Sequence, residues 1–529
     1  MIERELSRLV HQAAVEAAAS AGYTGEVPEP EITAPKQKEH GDFSTNVALA
    51  IASRVGSNPR ELAGSIVTNL PVRGLIRQAQ VAGPGFINLW VGDSWLHDSL
   101  KLALERGDRY GWSEPTGIRV QVEFVSANPT GPLHVGHARN AALGDALARV
   151  LEAAGHSVER EYYFNDAGGQ MDRFGASVEA RYLQLVGRDA EVPEDGYHGA
   201  YVTDMARDIL EELGPSLADL PADERLARLR AEGTQRALDG IRRTLGRFSI
   251  TFDSFVSEED LAEAGEIDQA IKRLRESGHA YELEGAVWFR STDFGDEKDR
   301  PLIRSDGTHT YFGADCAYLI DKFGRGFDHL IYVWGADHHG NIARLRGAAE
   351  ALGFDTKAVE LLIYQFVSFV RQGEPVAMSK RAGEFVPLDQ LIDEVGSDAA
   401  RFTLLTASND HTLSFDIEAV KRQSLENPSY YVQYAHARLA SIMRRAAERG
   451  VVRRPMEEVD LALLHEDAEI HLMKAIAALP DQVTDAASNR APHRLTHEAR
   501  SLAALVHRYY TDHKVISDDE ALTQARLRL

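Results

Sequence analysis

Along RVQVEFV, Arg119 to Val125, apolar and polar side chains alternate with the period of a strand. The next stretch carries Leu143, Leu147, Val150 and Leu151 at helical spacing and stops at Gly155. A second strand-like run, VEREYYF, opens at Val158. Strand, helix and strand in so short a span predict a βαβ unit with parallel strands. Before it, MIERELSRLVHQAAVEAAASAG has the pattern of an amphipathic helix and GPGFINLWV (Gly83 to Val91) that of a strand, up to a Gly/Pro-rich break at YGWSEPTG. After it, residues from about 175 to 265 read as mostly helical and acidic, an insertion. YELEGAVWFR, HLIYVWG and ELLIYQFVSFV then resume the α/β pattern. One parallel sheet interrupted by an insertion accounts for this order. From about Ser408 strand signals vanish, and Tyr431, Tyr434, Ala435, Arg438, Leu439 and Ile442 fall on one helical face. The expected fold is multidomain α/β: a small α+β domain over 1–112, a Rossmann-type parallel-sheet domain over 118–405, and an all-α domain over 406–529.

Composition supports several domains, since 529 residues exceed the ~250–300 that one core sustains. No apolar run reaches the ~18 residues of a membrane span, and Glu3, Glu5 and Glu16 argue against a secretion signal, so a cytoplasmic protein is expected. Cys316 is the only cysteine, which rules out an internal disulfide and a cysteine-built zinc site. A metal here would need oxygen or imidazole ligands, and no metal site is assigned. The net charge of −23 speaks against phosphate-binding surfaces until its distribution is seen. Asp189 to Glu224 holds Arg207 as its only lysine or arginine, whereas Lys421 to Arg454 is dominated by arginine and lysine. Such a basic run is either a solvated helix face or a nucleic-acid contact.

Candidate chemistry begins at SANPTGPLHVGHARN. A strand-to-helix turn in an α/β sheet offers free backbone N–H groups beyond the strand end, where ligands of such sheets sit. Pro129 and Pro132 stiffen this turn, Gly131 and Gly136 would let a flat ligand approach, and His134 and His137 can donate to phosphate. H-x-G-H in this setting reads as a nucleotide site. Far downstream, VAMSKRAGEF places Met378, Ser379, Lys380 and Arg381 after a hairpin turn expected at Gln372 to Pro375. In SDGTHTYFGADCAYLIDKF, Tyr311 and Asp315 are four apart, hence on one face if helical. An ionised aspartate there could grip a guanidinium by a bidentate, charge-assisted pair that an ammonium cannot reproduce.

HVGH followed by MSKR, in that order, resembles the paired motifs of class I aminoacyl-tRNA synthetases. With HGDFSTNVAL, EYYFNDAGGQ, TYFGADCAY, VWGADHHG and ENPSYYVQYAHARL added, the resemblance narrows to bacterial arginyl-tRNA synthetases and covers nearly the whole chain. It implies ATP as a substrate, bound with Mg²⁺ by Pro132, His134, Gly136, His137, Met378, Ser379, Lys380 and Arg381, of which His134, His137 and Lys380 would be catalytic. It implies L-arginine held by Ser126, Asn128, Glu258, Tyr311, Asp315 and, more remotely, His338. It also implies tRNA(Arg) as partner, the first domain at its elbow and the C-terminal helices at its anticodon, through Tyr431, Gln433, Tyr434 and Arg438. A monomer is expected.

Three positions depart from the family pattern. Ala377 stands where the general class I motif has its first lysine, and His338 where some arginyl enzymes have glutamine. EALTQARLRL reads as a helix running off the end of the chain where relatives continue. Other readings compete: a metal phosphoesterase on Asp337, His338 and His339; a small nucleotidyltransferase, which would share H-x-G-H but not the MSK motif; and a relative that binds tRNA without charging it. The role implied for Lys380 gives a first prediction. Lys380→Ala should lower adenylate formation at least ~10-fold, as expected for loss of a charge-stabilising cation, with tRNA affinity nearly unchanged. Equal loss of both would remove Lys380 from this role.

Overall fold

The computed structural model describes residues 2–33, 35, 37, 40–72, 74–166, 168–375 and 386–529. Met378 to Arg381 lie outside the described residues. The chain forms two compact units, one of residues 113–431 and 485–497, the other of residues 1–112, 432–484 and 498–529.

In the first unit the expected βαβ opens the sheet: β1 (Arg119–Glu123), α1 (Ala138–Ala153) and β2 (Ser157–Phe164), with β1 and β2 parallel. Further along come β3 (Ser254–Ser257), helix α2 (Tyr311–Gly324), β4 (His329–Gly335) and β5 (Val359–Tyr364). The five strands form one parallel sheet in the order β5-β4-β1-β2-β3. Helix α1 has no polar face; nearly every side chain from Ala138 to Leu151 is buried. Alanines and Gly144 keep it thin enough to lie against Val120, Val122 and Phe124 of the sheet.

The insertion is three helices, Gly169–Leu185, Ala200–Leu213 and Ala222–Arg247, around their own core of Met171, Phe174, Tyr182, Val202 and Leu229. Four corrections to the sequence reading follow. Strand β3 falls inside the stretch expected to be helical, because four residues are too few to show alternation. YELEGAVWFR does not join the parallel sheet. Glu284 and Gly285 take φ of 53° and 77°, the two-residue turn of a hairpin, so Ala280–Leu283 and Ala286–Phe289 pair antiparallel and, with Arg300–Ile303, form a separate sheet. ELLIYQFVSFV divides: β5 ends at Tyr364, and β6 (Val367–Arg371) belongs to a small sheet with Glu374–Pro375 and β7 (Leu413–Asp416). The turn at Gln372 and Gly373 is where the sequence put it, with φ of 53° and 86°. Strand β7 lies beyond Ser408, where only helices were expected.

The second unit holds the N-terminal helix Ile2–Ser20 and a four-stranded antiparallel sheet that includes Phe86–Val91. Helix Asp93–Arg106 packs Leu96 and Leu100 against Leu464, Met473 and Ala477 of the C-terminal helices. Helix Pro428–Glu448 buries Ala435 and Ala446, whereas Leu439 is 44% exposed and so leaves the face assigned to it. The last helix, Glu520–Arg526, starts on the Asp519 cap and ends at Leu527, so it does not run off the chain. No helix among the described residues is long and apolar enough to cross a membrane.

A Cβ on Gly144 would overlap the Phe124 ring. Gly144→Ala should therefore destabilise this unit by about 1–3 kcal/mol through overpacking, outweighing alanine's helix preference of ~1 kcal/mol. A lowered urea midpoint of the full chain would read it; a raised midpoint would show that the helix can move away.

Candidate functional site

Beyond β1 the backbone turns sharply: Val125 and Ser126 adopt φ of 65° and 43°, a left-handed geometry that costs ~1–3 kcal/mol per non-glycine residue and must be held from outside. The Asn140 amide does so, accepting from Val125 N–H at 2.7 Å and donating to the Val333 carbonyl of β4 at 2.9 Å. One side chain of α1 thereby ties together the ends of two neighbouring strands.

The two histidines then cap the helical start. His134 Nδ1 accepts from Gly136 N–H at 3.1 Å and His137 Nδ1 from His134 N–H at 3.3 Å, their ring centroids 4.0 Å apart. With Nδ1 an acceptor in each, the neutral rings carry their protons on Nε2, a donor suited to phosphate oxygen. The glycines serve the protein's own packing more directly than a ligand. A Cβ on Gly131 would meet the Tyr201 ring at 2.9 Å, and one on Gly136 the His134 ring at 2.7 Å.

The turn also holds the chain that resumes after the segment bearing Met378 to Arg381: Val135 N–H donates to Val386 O at 3.1 Å and Leu388 N–H to Leu133 O at 2.9 Å. At the start of α1, Arg139, 2% exposed, spends its guanidinium on the carbonyls of Gln365, His411 and Ser408 at 2.6, 2.8 and 2.8 Å. Those carbonyls lie just ahead of β6 and β7.

At the carboxyl ends of β1, β4 and β5 lies a cleft of about 470 Å³. Of the residues singled out in the sequence, Ser126, Asn128, His137, Glu258, Tyr311, Asp315 and His338 line it. Tyr311 and Asp315 are on the first turns of α2, capped by Thr310, whose hydroxyl accepts from Gly313 N–H at 3.2 Å. Tyr311 is 60% exposed. Asp315 is pushed up to about 7, chiefly by burial and further by Glu123 and Glu258. Burial also raises Glu258, which accepts from Tyr163 Oη at 2.8 Å and Asn165 Nδ2 at 2.9 Å. Asn128 donates to Gln170 at 2.7 Å. His338 is exposed at the rim, 5.7 Å from the Trp334 ring and 3.5 Å from Asp337.

The sequence reading gave no role to Glu123, Asn140, Tyr163, Asn165, Trp334 or Tyr364, which share this lining. The alternation in EYYFN held the signal for two of them, since Tyr163 lies two residues from Glu161 and so on the same face. No lysine or arginine is among the described residues of the lining, while Glu123, Glu258, Asp315 and Asp337 are. Such a cleft suits a ligand with cationic ends. The phosphoesterase reading finds no support, because no three His, Cys, Asp or Glu among the described residues are grouped to hold a metal.

The residues expected at tRNA lie elsewhere. Gln433 is exposed, and Tyr431 is half-buried. Arg438 is engaged within its own bundle: it stacks at 4.6 Å on Tyr434 and 4.8 Å on Tyr510 and pairs with His507 at 3.1 Å. Arg444 and Arg445 on the same helix, and Arg449 just past its end, are exposed.

Known proteins match this chain along its whole length. The profile of the class I (R) tRNA synthetase catalytic domain matches residues 99–424, that of the arginyl tRNA synthetase N-terminal domain 4–91, and that of the DALR anticodon-binding domain 432–529. The arginine–tRNA ligase of Heliobacterium modesticaldum is 46% identical over 535 residues, spanning 100% of this chain and 95% of the relative. A crystal structure of arginyl-tRNA synthetase from Campylobacter jejuni superposes with a TM-score of 0.76 at 35% identity, covering 83% of this chain and 95% of that one. The Thermus thermophilus arginyl-tRNA synthetase shares the fold, with a TM-score of 0.75 at 24% identity over 100% of this chain and 96% of that one.

Proposed function

This chain belongs to the arginyl-tRNA synthetases of class I, and we propose that the cleft beyond β1, β4 and β5 is where it joins arginine to ATP. Its function is arginine–tRNA ligation: ATP-dependent activation of L-arginine and transfer of the arginyl group to tRNA(Arg). The observation that carries the cleft assignment is the convergence of Tyr311 and Asp315 with His137 on one cavity whose described lining has acids but no lysine or arginine.

In this reading Asp315 pairs with the guanidinium while Tyr311 covers it. Ser126, Asn128 and Glu258 hold the α-amino end, and His338, at the rim, is at most a peripheral contact. The carboxylate of arginine then attacks the α-phosphorus of ATP, pyrophosphate leaves, and the ribose hydroxyl of the terminal tRNA adenosine displaces AMP. The substrates supply both nucleophiles, so the protein contributes orientation and charge. His134 and His137 donate to phosphate beside Pro132 and Gly136, and Lys380, with Met378, Ser379 and Arg381, acts at the triphosphate. Magnesium would arrive on ATP, as an ion that keeps its waters and needs few protein ligands.

We assign the tRNA elbow to residues 1–112, catalysis to 118–405 and the anticodon to 406–529, through Tyr431, Gln433 and the side of the bundle that Tyr434 and Arg438 brace. A cytoplasmic monomer completes the proposal.

Pyrophosphate exchange with each of the twenty amino acids, with and without tRNA, tests it. Arginine alone should support exchange; exchange with another amino acid would overturn the cleft assignment. Asp315→Ala should raise the KM for arginine by ~10²-fold or more, the 2–5 kcal/mol of a broken buried charge pair. An unchanged KM would remove Asp315 from the guanidinium.

Acidity gives a second measurement. Burial raises Asp315 to about 7, so below that pH it is protonated and must lose its proton to pair with a guanidinium. The KM for arginine should rise about tenfold per pH unit below 7 and level off above, and Asp315→Asn should flatten that profile. A wild-type KM that falls as pH drops would contradict it.

A further inference from the structure

Between α2 and the sheet lies a layer of buried charge. Lys322 has no exposed surface; its Nζ donates to Glu123 Oε2 at 2.6 Å and lies 3.7 Å from Glu161 Oε1. It sits between the ring faces of Tyr318 and Tyr332 at 4.1 and 4.0 Å, contacts that favour a cation. Glu161 has a second counter-ion, Arg325, at 2.6 Å, and a hydrogen bond from Tyr318. Glu123 has Lys322 alone among its described ion-pair partners. The other oxygen of Glu123 accepts from Ser126 Oγ at 3.2 Å, which in turn accepts from Tyr163 N–H at 3.2 Å. Glu123 is thus pinned from below by a charge and from the rim by a hydroxyl, and it lines the cleft.

Lys322 follows Asp315 by seven residues, two turns along the same face of α2. We infer that Lys322 is a positioning residue for arginine recognition: it holds the Glu123 carboxylate in place at the cleft, so that a ligand with cationic ends meets a second fixed carboxylate beside Asp315. Lys322 touches no substrate. Its effect reaches the ligand only through Glu123, and the inference rests on the cleft being the arginine site.

The test uses full-length Lys322→Met, Glu123→Gln and the double variant in arginine-dependent pyrophosphate exchange with tRNA present. Melting temperatures are taken with and without arginine. Lys322→Met should raise the KM for arginine ~10-fold or more, as loss of a fixed charge requires. The KM for ATP should stay within about twofold, and the thermal upshift produced by arginine should shrink.

The double variant replaces the ion pair by a neutral one. It should recover melting temperature relative to Lys322→Met yet keep the raised KM for arginine. An unchanged arginine KM in Lys322→Met, or a wild-type KM in the double variant, would reduce Lys322 to packing and overturn the inference. Should Lys322→Met fail to fold, the double variant against Glu123→Gln decides: with the Glu123 charge already gone, adding Lys322→Met should move the arginine KM less than about twofold, and a further ~10-fold rise would overturn it. A wild-type chain that exchanges no pyrophosphate with arginine would instead sink the cleft assignment, and this inference with it.

Discussion

Glu123 on β1 and Glu161 on β2 are direct neighbours in the sheet register, and the rest of the site depends on how that pair is tolerated. Two carboxylates side by side on one face repel, and burying them multiplies the cost. The fold answers with α2, which lowers Lys322 and Arg325 onto the row while Tyr318 donates to Glu161. Such a layer is a poor source of net stability, since desolvation consumes most of the attraction. Its effect is on register. Sliding α2 along the sheet would separate both cations from their acids, so the helix has one favourable position, and in that position Asp315 and Tyr311 stand at the strand ends opposite Ser126 and Asn128.

The other face of the sheet reaches the same precision by different means. Helix α1 is set by steric closeness, with Gly144 against Phe124, and by two polar side chains at its start. Asn140 holds the strained residues after β1, and Arg139 gathers three carbonyls from the loops around β6 and β7. Buried carbonyls without partners would be costly, so one guanidinium both satisfies them and fixes the ends of those strands relative to the histidine turn. Positional accuracy at the reacting centre is therefore built into elements, with loops held at their roots.

Much of this was legible in the sequence. The βαβ unit, the turn with His134 and His137, the helix carrying Tyr311 and Asp315, and the turn at Gln372 each had a local pattern long enough to read. Strands β3 and β7 did not, at four residues each, and the Glu284–Gly285 hairpin was absorbed into a run of β-prone residues. The charged layer was hidden for a different reason. VEREYYF was legible as a strand, but the polar face of such a strand is usually assigned to solvent. A parallel sheet is covered on both sides, so Glu159, Glu161 and Tyr163 had to face another element, and the matching cations lie far downstream on α2. Arg438 shows the converse: an arginine in a basic run that the bundle takes up with two rings and an imidazole.

The division of charge within the site has a consequence for how the two substrates meet. A triphosphate approaching a cavity lined by Glu123, Glu258, Asp315 and Asp337 is repelled, and the described lining has no lysine or arginine to offset this. Of the two imidazoles of the turn, that of His137 lines the same cavity. Arginine carries two cationic ends and one carboxylate, so in the binding mode proposed above its cationic ends would neutralise these acids and leave its carboxylate to face the nucleotide. Under that assignment, binding of the amino acid does part of the electrostatic work of binding ATP, because it removes the repulsion that the acids of the described lining would otherwise exert on the triphosphate.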